Sequence, residues 1–578
     1  MMRTWGLGFL LGVVIAGVAP GDELKFKDRL RRALVDRVPG ILKTFDAKTG
    51  RFGGGIWTCQ DQHPMYPLAV AYATQAEGNR YFHDAELLQV IVRAGDPLLE
   101  NMDERGQWVF AKKDGSTWGM IWMPWTYSRW IRTFALVRED MPADKRQAWE
   151  RALQLGYTGI AASNLGSVHN IPSHHAMGLY VAGQTFQRPE WSRQAAEFLV
   201  KVAGRQAEGG YWSEGTGPVV LYNFVYVDAL GTYYSLSRDE RVLPALQRAA
   251  AFHRHFTYPG GQTVETIDER NSYHDTVSAG NVGFTFSSLG RAYLHNQWAN
   301  LGLDRLDPDL IASLLLYGEE GDCGEAESGD EQQVFVLNEG GAARAATIRR
   351  GPWFVCLSAY TAAVPNSRWI QDRQNFVSVY HRERGLIVGG GNTKLQPLWS
   401  NFTVGDTSLM AHRTGDENPD FRPRDGLVHV PSAATLAVKP QPELVLNYGP
   451  EECRMQVAVK DERTVVLTFE ASCRGELPVA AHLTLAPRVG QTVETASGEK
   501  VVTANEAFSL SAERLGAWLR YGDCRLALPS GASLVWPALP HNPYRKDGRA
   551  NPAEGRLVVR IPLDRQHPQQ QVTLTAEP

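Results

Sequence analysis

Between residues 24 and 317 apolar side chains recur every three or four positions, in long stretches broken by loops marked with Gly and Pro. That spacing lines up one stripe of an α-helix. It predicts helices over 24–46, 65–77, 84–100, 118–137, 143–162, 174–185, 189–207, 219–237, 239–256 and 281–300, with no strand between them. Charge then sorts the helices. Segments 143–162 and 239–256 carry charged faces and read as outer helices. Segments 174–185 and 219–237 are poor in charge and rich in Gly, Val, Leu and Tyr, and read as inner ones. Alternation assigns 65–77, 118–137, 174–185, 219–237 and 281–300 to the inner ring of an incomplete (α/α) toroid. The inner helices of such a ring run the same way, so their N-terminal ends share one rim.

From 333 the period changes to two. QQVFVLNE, ARAATIRR, WFVCLSAY, NFVSVYH, GLIVGGG, RMQVAVK, RTVVLTFE, AAHLTLAP, RLVVRIPL and QVTLTAE alternate or form short β-branched runs bounded by turn residues. They predict an antiparallel β-sandwich over 334–578, after a toroid over 20–320 and an acidic, Gly-rich linker over 321–333. The linker reads as solvated charge, since no ligand spacing in it fits a calcium-binding EF-hand loop. A chain of 578 residues suits two such domains.

Residues 1–19 place Arg3 before an apolar run from Trp5 to Val18 and end on Ala19. This is the pattern of a signal peptide, and predicts a periplasmic or secreted protein without a membrane anchor. A net charge of −4 gives no basic face for nucleic acid, so an acidic polymer would be met by local Arg and Lys. The 6 Cys form no CxxC metal pair. Cys453 and Cys473 flank the Lys460–Arg463 turn and are expected opposite each other across a hairpin, as a bonded pair or as two buried thiols.

Chemistry concentrates in two segments, HNIPSHHAMGLYVAG (169–183) and GGYWSEGTGPVVLYNFVYVDAL (209–230). Each runs from a polar, aromatic loop into an inner helix. Breaking a 4-linked uronate by β-elimination needs a donor that neutralises the carboxylate, a base for the C5 proton and an acid for the departing O4. Asn, neutral His and Tyr suit those acts, and no metal or organic cofactor is demanded. Ser173 is the expected N-cap of the first helix. His174 and His175 would then lie in its first turn, where the helix dipole opposes protonation. Both stand as the base, with His174 nearer the rim. Tyr222, with Tyr226 on the same face, is the expected acid, and Asn170 the neutraliser. The same rim would gather Gln62, His63, Glu214, Tyr273 and His274. Trp118, Trp122, Trp125 and Tyr127 are candidate sugar platforms, with Arg129 and Arg132 as carboxylate clamps.

These segments resemble the polysaccharide lyases that join an (α/α) toroid to a β-sandwich, a group including heparinase II/III-like, alginate and chondroitin AC lyases. EGGYWSEGTGPVVLYNFVY (208–226) resembles the stretch leading to that group's catalytic Tyr, with Tyr222 at its place. NIPSHH (170–175) resembles the helix start that supplies neutraliser and base. ETIDERNSYH (265–274) and QNFVSVYHRERGLIVGGGNT (374–393) resemble the end of the toroid and the first sandwich strands. The spacing departs from the group: Ile171, Pro172 and Ser173 separate Asn from His, and Glu214 stands eight residues before Tyr222, where the chondroitin AC type has His. The resemblance also implies that the sandwich adds a residue to the cleft, Tyr380 or His381, in some relatives beside a structural metal. It implies an acidic polysaccharide as partner. Two rivals remain. A glycoside hydrolase would need facing carboxylates, drawn from Glu214, Asp228, Asp61 or Asp275, and a glycan-binding protein would need no turnover.

Overall fold

The computed structural model describes residues 23–55, 57–112, 117–324, 332–410, 419–439, 441–545 and 547–577. The expected signal peptide and the middle of the acidic linker lie outside the described residues. Among those described, no helix is long and apolar enough to cross a membrane.

Inner helices Met65–Ala73, Pro124–Val137, Asn170–Thr185 and Val220–Ser237 pack side by side, followed by the 3₁₀ turn Val282–Phe286. Pro308–Tyr317 then returns against Met65–Ala73. Met65 to Tyr72 are buried without a break, as befits a helix covered on every side. The outer helices bury one stripe only; Pro189–Gly204 covers Trp191, Ala195, Phe198, Leu199 and Val202. Contacts step along neighbouring inner helices in the same sense. Arg129 reaches Asp309 at 2.5 Å, and one turn on Arg132 reaches Ser313 at 3.2 Å. Those helices therefore run parallel, with their N-terminal ends on one rim.

The structure revises four sequence expectations. Residues Trp108–Ala111 and Thr117–Ile121 form a β-hairpin, so Trp118 sits on a strand and the helix waits for Pro124. Proline fits that first position because the N–H it lacks has no helical partner there. For the same reason Pro172 is accepted in the first turn of Asn170–Thr185. The helix thus starts before Ser173, whose hydroxyl donates to His169 O at 2.8 Å instead of capping. Segment 281–300 divides into the 3₁₀ turn and Ser288–Leu301, with Ser287 as the N-cap. Pro308–Tyr317, too short to show a clear period, supplies the remaining inner position.

Past Gly321–Asp322, which pairs with Glu23–Leu24, the chain forms two antiparallel sheets of 11 and 9 strands. Period two explains how one strand serves two cores. In Trp353–Ser358, Trp353, Val355 and Leu357 enter the core between the sheets. Phe354 and Cys356 face the other way and pack with Val220, Phe256, Tyr258 and Ile267 of the helical domain. The sandwich is thereby fixed against the rim. Cys453 pairs with Ala471, not Cys473, because the hairpin register places Cys473 two residues past its partner position; both thiols are free and buried.

Candidate active site

One carboxylate sets the geometry of the rim. Asp268 accepts from Val220 N at 2.7 Å, at the start of the Tyr222 helix, and from Arg270 N and Asn271 N at 2.8 Å. A carboxylate at a helix N-terminus meets unpaired N–H groups and the positive end of the dipole. Burial nevertheless pushes the Asp268 carboxyl up, against those hydrogen bonds. The same residue joins the sandwich, since Asn392 Nδ2 donates to Asp268 O at 2.8 Å. It thus holds Tyr222 and Arg270 in fixed relation at the seam between the domains.

Arg270 lies over the Tyr222 ring, its guanidinium carbon 4.7 Å from the centroid. Tyr544 of the sandwich lies within electrostatic reach of the Tyr222 hydroxyl. Burial, with Tyr544 and Glu214 adding to it, pushes the phenol up to about 12, while Arg270 pulls it down. Tyr222 is therefore protonated at neutral pH and able to donate. Glu214 accepts from the Tyr226 hydroxyl and from Asn170 N at 3.2 Å, tying the starts of the two inner helices together. Tyr226 is held in turn by stacking on Trp212, 5.1 Å away and 9° from parallel. Beside them Glu269 accepts from Thr216 Oγ1 at 2.7 Å and lies 4.0 Å from Arg373.

Deeper in the bore, a cavity of about 200 Å³ is lined by Arg129, Arg132, His174, Asp228, Asp309 and others. His174 Nε2 is 3.5 Å from Asp228 Oδ2, and its ring meets Trp125 edge-on at 4.5 Å. Burial lowers the His174 imidazole, and Asp228 opposes that shift. Asp228 is six residues past Tyr222, a rise of about 9 Å along the helix. His174 thus sits well below the phenol.

No known family profile matches the sequence, and no curated protein does. Solved structures do. Heparinase III superposes with a TM-score of 0.50, over 92% of this chain and 79% of its own, at 13% identity. The fold is that of heparinase III. A heparan sulfate lyase mutant from Pedobacter heparinus is also similar, with a TM-score of 0.48, 11% identity and coverage of 96% and 83%. So is a chondroitin lyase that is a baculovirus envelope protein, with a TM-score of 0.48, 8% identity and coverage of 96% and 84%.

Within this heparinase III-like fold the residues singled out from sequence divide. Asn170, Glu214, Tyr222 and Tyr226 come together at the seam, and His174 faces Asp228 in the bore with Arg129 and Trp125. His63 is nearby, its Nε2 3.4 Å from Thr126 Oγ1. Others are occupied in packing. His175 Nε2 lies 2.8 Å from Trp122 O, and burial lowers its imidazole to about 3. Gln62 is buried and donates to Gly50 O at 2.7 Å and to Ala94 O. Tyr127 is fully buried, its hydroxyl donating to Gly106 O at 2.5 Å. Trp122 donates to Arg105 O at 2.9 Å. His175, Gln62 and Tyr127 are corrections: each is buried with its polar atoms already partnered by protein, so it is not available to a sugar, whereas the half-buried Trp122 uses only its indole N–H in this way.

Tyr273 donates to Asp275 at 3.3 Å, next to an exposed His274. Tyr380 stacks on Tyr258 at 4.5 Å and His381 packs against Trp353 at 4.7 Å, so neither lies open to the cleft. Asp61 is engaged by Arg51 at 2.5 Å. Sequence reasoning missed Arg270, Glu269, Arg373 and Tyr544. Only the ETIDERNSYH segment carried a signal for the first two, a charged cluster just before the end of the toroid.

Proposed function

We propose that this chain is a polysaccharide lyase that cleaves a 4-linked uronate polymer by β-elimination. The observation that carries the reading is Tyr222, protonated at the domain seam with the Arg270 guanidinium over its ring. Arg270, with the Asn170 amide, neutralises the uronate carboxylate and so makes the C5 proton removable. His174 takes that proton through Nδ1, the ring nitrogen without a protein partner, while Nε2–H faces Asp228, whose carboxylate stabilises the imidazolium that forms. Tyr222 protonates O4 as the bond to the next sugar breaks. The steps use protein side chains and no metal or cofactor, and the leader at 1–19 directs the protein to the periplasm or beyond.

Glu214 is the second candidate for the base. It lies within electrostatic reach of Tyr222 and is more exposed than His174. The test is a panel of uronate polysaccharides followed by the ultraviolet absorbance of the unsaturated product. His174→Ala should abolish turnover while Glu214→Gln retains part of it; the reverse result transfers the base to Glu214. Hydrolysis without an unsaturated product would replace the lyase reading with a glycoside hydrolase.

A further inference from the structure

The hairpin Trp108–Ala111/Thr117–Ile121 carries large aromatic groups toward the sandwich. Trp118 is 56% exposed and stacks on Phe110 at 5.2 Å. Across the seam Trp369 meets Trp118 edge-on at 5.6 Å, and Tyr544, itself 54% exposed, meets Trp369 at 5.6 Å. Tyr544 ends the row within electrostatic reach of the Tyr222 hydroxyl. The row thus crosses from the helical domain to two sandwich loops and arrives at the proposed acid. Cations flank it. Lys112 Nζ lies 5.7 Å from the Trp118 ring and 5.9 Å from Trp369, and the Arg368 guanidinium carbon lies 5.8 Å from Trp369.

Exposed aromatic groups in a contiguous row mark a surface that something covers. We infer that this row is an outer subsite for an anionic sugar chain, leading the polymer along both domains to Tyr222. Aromatic faces take the C–H side of a sugar ring and leave its hydroxyls in water, and Lys112 and Arg368 meet carboxylate or sulfate groups. Charge complementarity and continuity with Tyr222 select this occupant over an apolar protein segment. The occupant's uronate character rests on the lyase reading; the subsite itself rests on the row.

The test uses the full chain with Tyr222→Phe, which binds without turnover. Oligomers of 4-linked glucuronate and mannuronate, from two to eight sugars, are titrated by calorimetry. A sulfated oligosaccharide without uronate serves as a second probe. Trp118→Ala and Trp369→Ala should weaken the long oligomers about tenfold or more and leave the disaccharide unchanged, at constant Tm. Lys112→Ala should flatten the salt dependence of long-oligomer binding. Unchanged affinity at every length overturns the subsite, as does failure of both probe types to bind. Loss of affinity only in step with a lowered Tm also overturns it, making the row a latch between domains. Binding of the sulfated probe alone, or length-dependent binding with no unsaturated product from the unsubstituted enzyme, keeps the subsite and removes the lyase reading. Turnover that ignores the row does the reverse.

Discussion

The seam and the bore hold similar side chains and put them to different use. In the bore, Arg129 is paired with Asp309, His174 faces Asp228, and Arg132 donates to Ser128 O, Tyr66 and Ser313. Charge there is largely satisfied within the protein, as buried charge must be. At the seam, Arg270 lies over a phenol rather than against a carboxylate, and Tyr544 from the other domain acts on that same phenol. The lesson is that the second domain makes the site. Without the sandwich, Tyr222 and Arg270 would be two solvated side chains at a helix end.

The largest break in this comparison comes from the seam. Tyr222→Phe should lower kcat by about 10²–10⁴, the usual worth of a general acid, with Tm unchanged. Arg270→Ala should follow, lowering kcat and raising KM together, and Arg270→Lys should recover part of the KM. An equal effect of Lys and Ala would deny the cation a role.

Within the bore, His174→Ala should stop turnover, whereas His175→Ala should cost stability and spare kcat. Because burial lowers the His174 imidazole, activity should persist as pH falls below the ordinary imidazole range near 6.5. Asp228 opposes that lowering, so Asp228→Asn should carry the acid limb of the profile further down. An acid limb that rises in Asp228→Asn would contradict the pairing.

Stability should respond to acid through a different set. His175, His253 and His482 are buried, and each imidazole is lowered to about 3. Between pH 6.5 and 3 the unfolded chain binds protons that the folded chain does not, so stability falls as pH falls. Each imidazole contributes a slope of about 1.4 kcal/mol per pH unit in that window. Thermal melts across it, repeated with His253→Leu, should show a shallower slope in the variant. The smallest effect belongs to the packed tyrosine. Tyr127→Phe removes one buried hydrogen bond and should cost about 1 kcal/mol of stability without a change in KM.

The two architectures were legible because their periods differ. Charge separated inner from outer helices, since covered helices cannot carry solvated faces. Boundaries failed where proline and short length obscured the period, at Pro124, Pro172 and Pro308. The rim placed Asn170, Glu214 and Tyr222 together because parallel inner helices bring their starts to one side. It could not separate His174 from His175, which depends on which way one helix is rotated. Arg373, Trp369 and Tyr544 lie in sandwich loops far along the chain from the rim segments, and no local pattern in those loops points across the seam.

In the proposed mechanism every other role depends on Tyr222 protonating the leaving oxygen at the junction of the two domains. Tyr222→Phe assayed for unsaturated product, alongside its affinity for an oligouronate, tests that most directly. The prediction is retained binding with product formation down by at least about 10². Product at the unsubstituted rate from a Tyr222→Phe enzyme would contradict it.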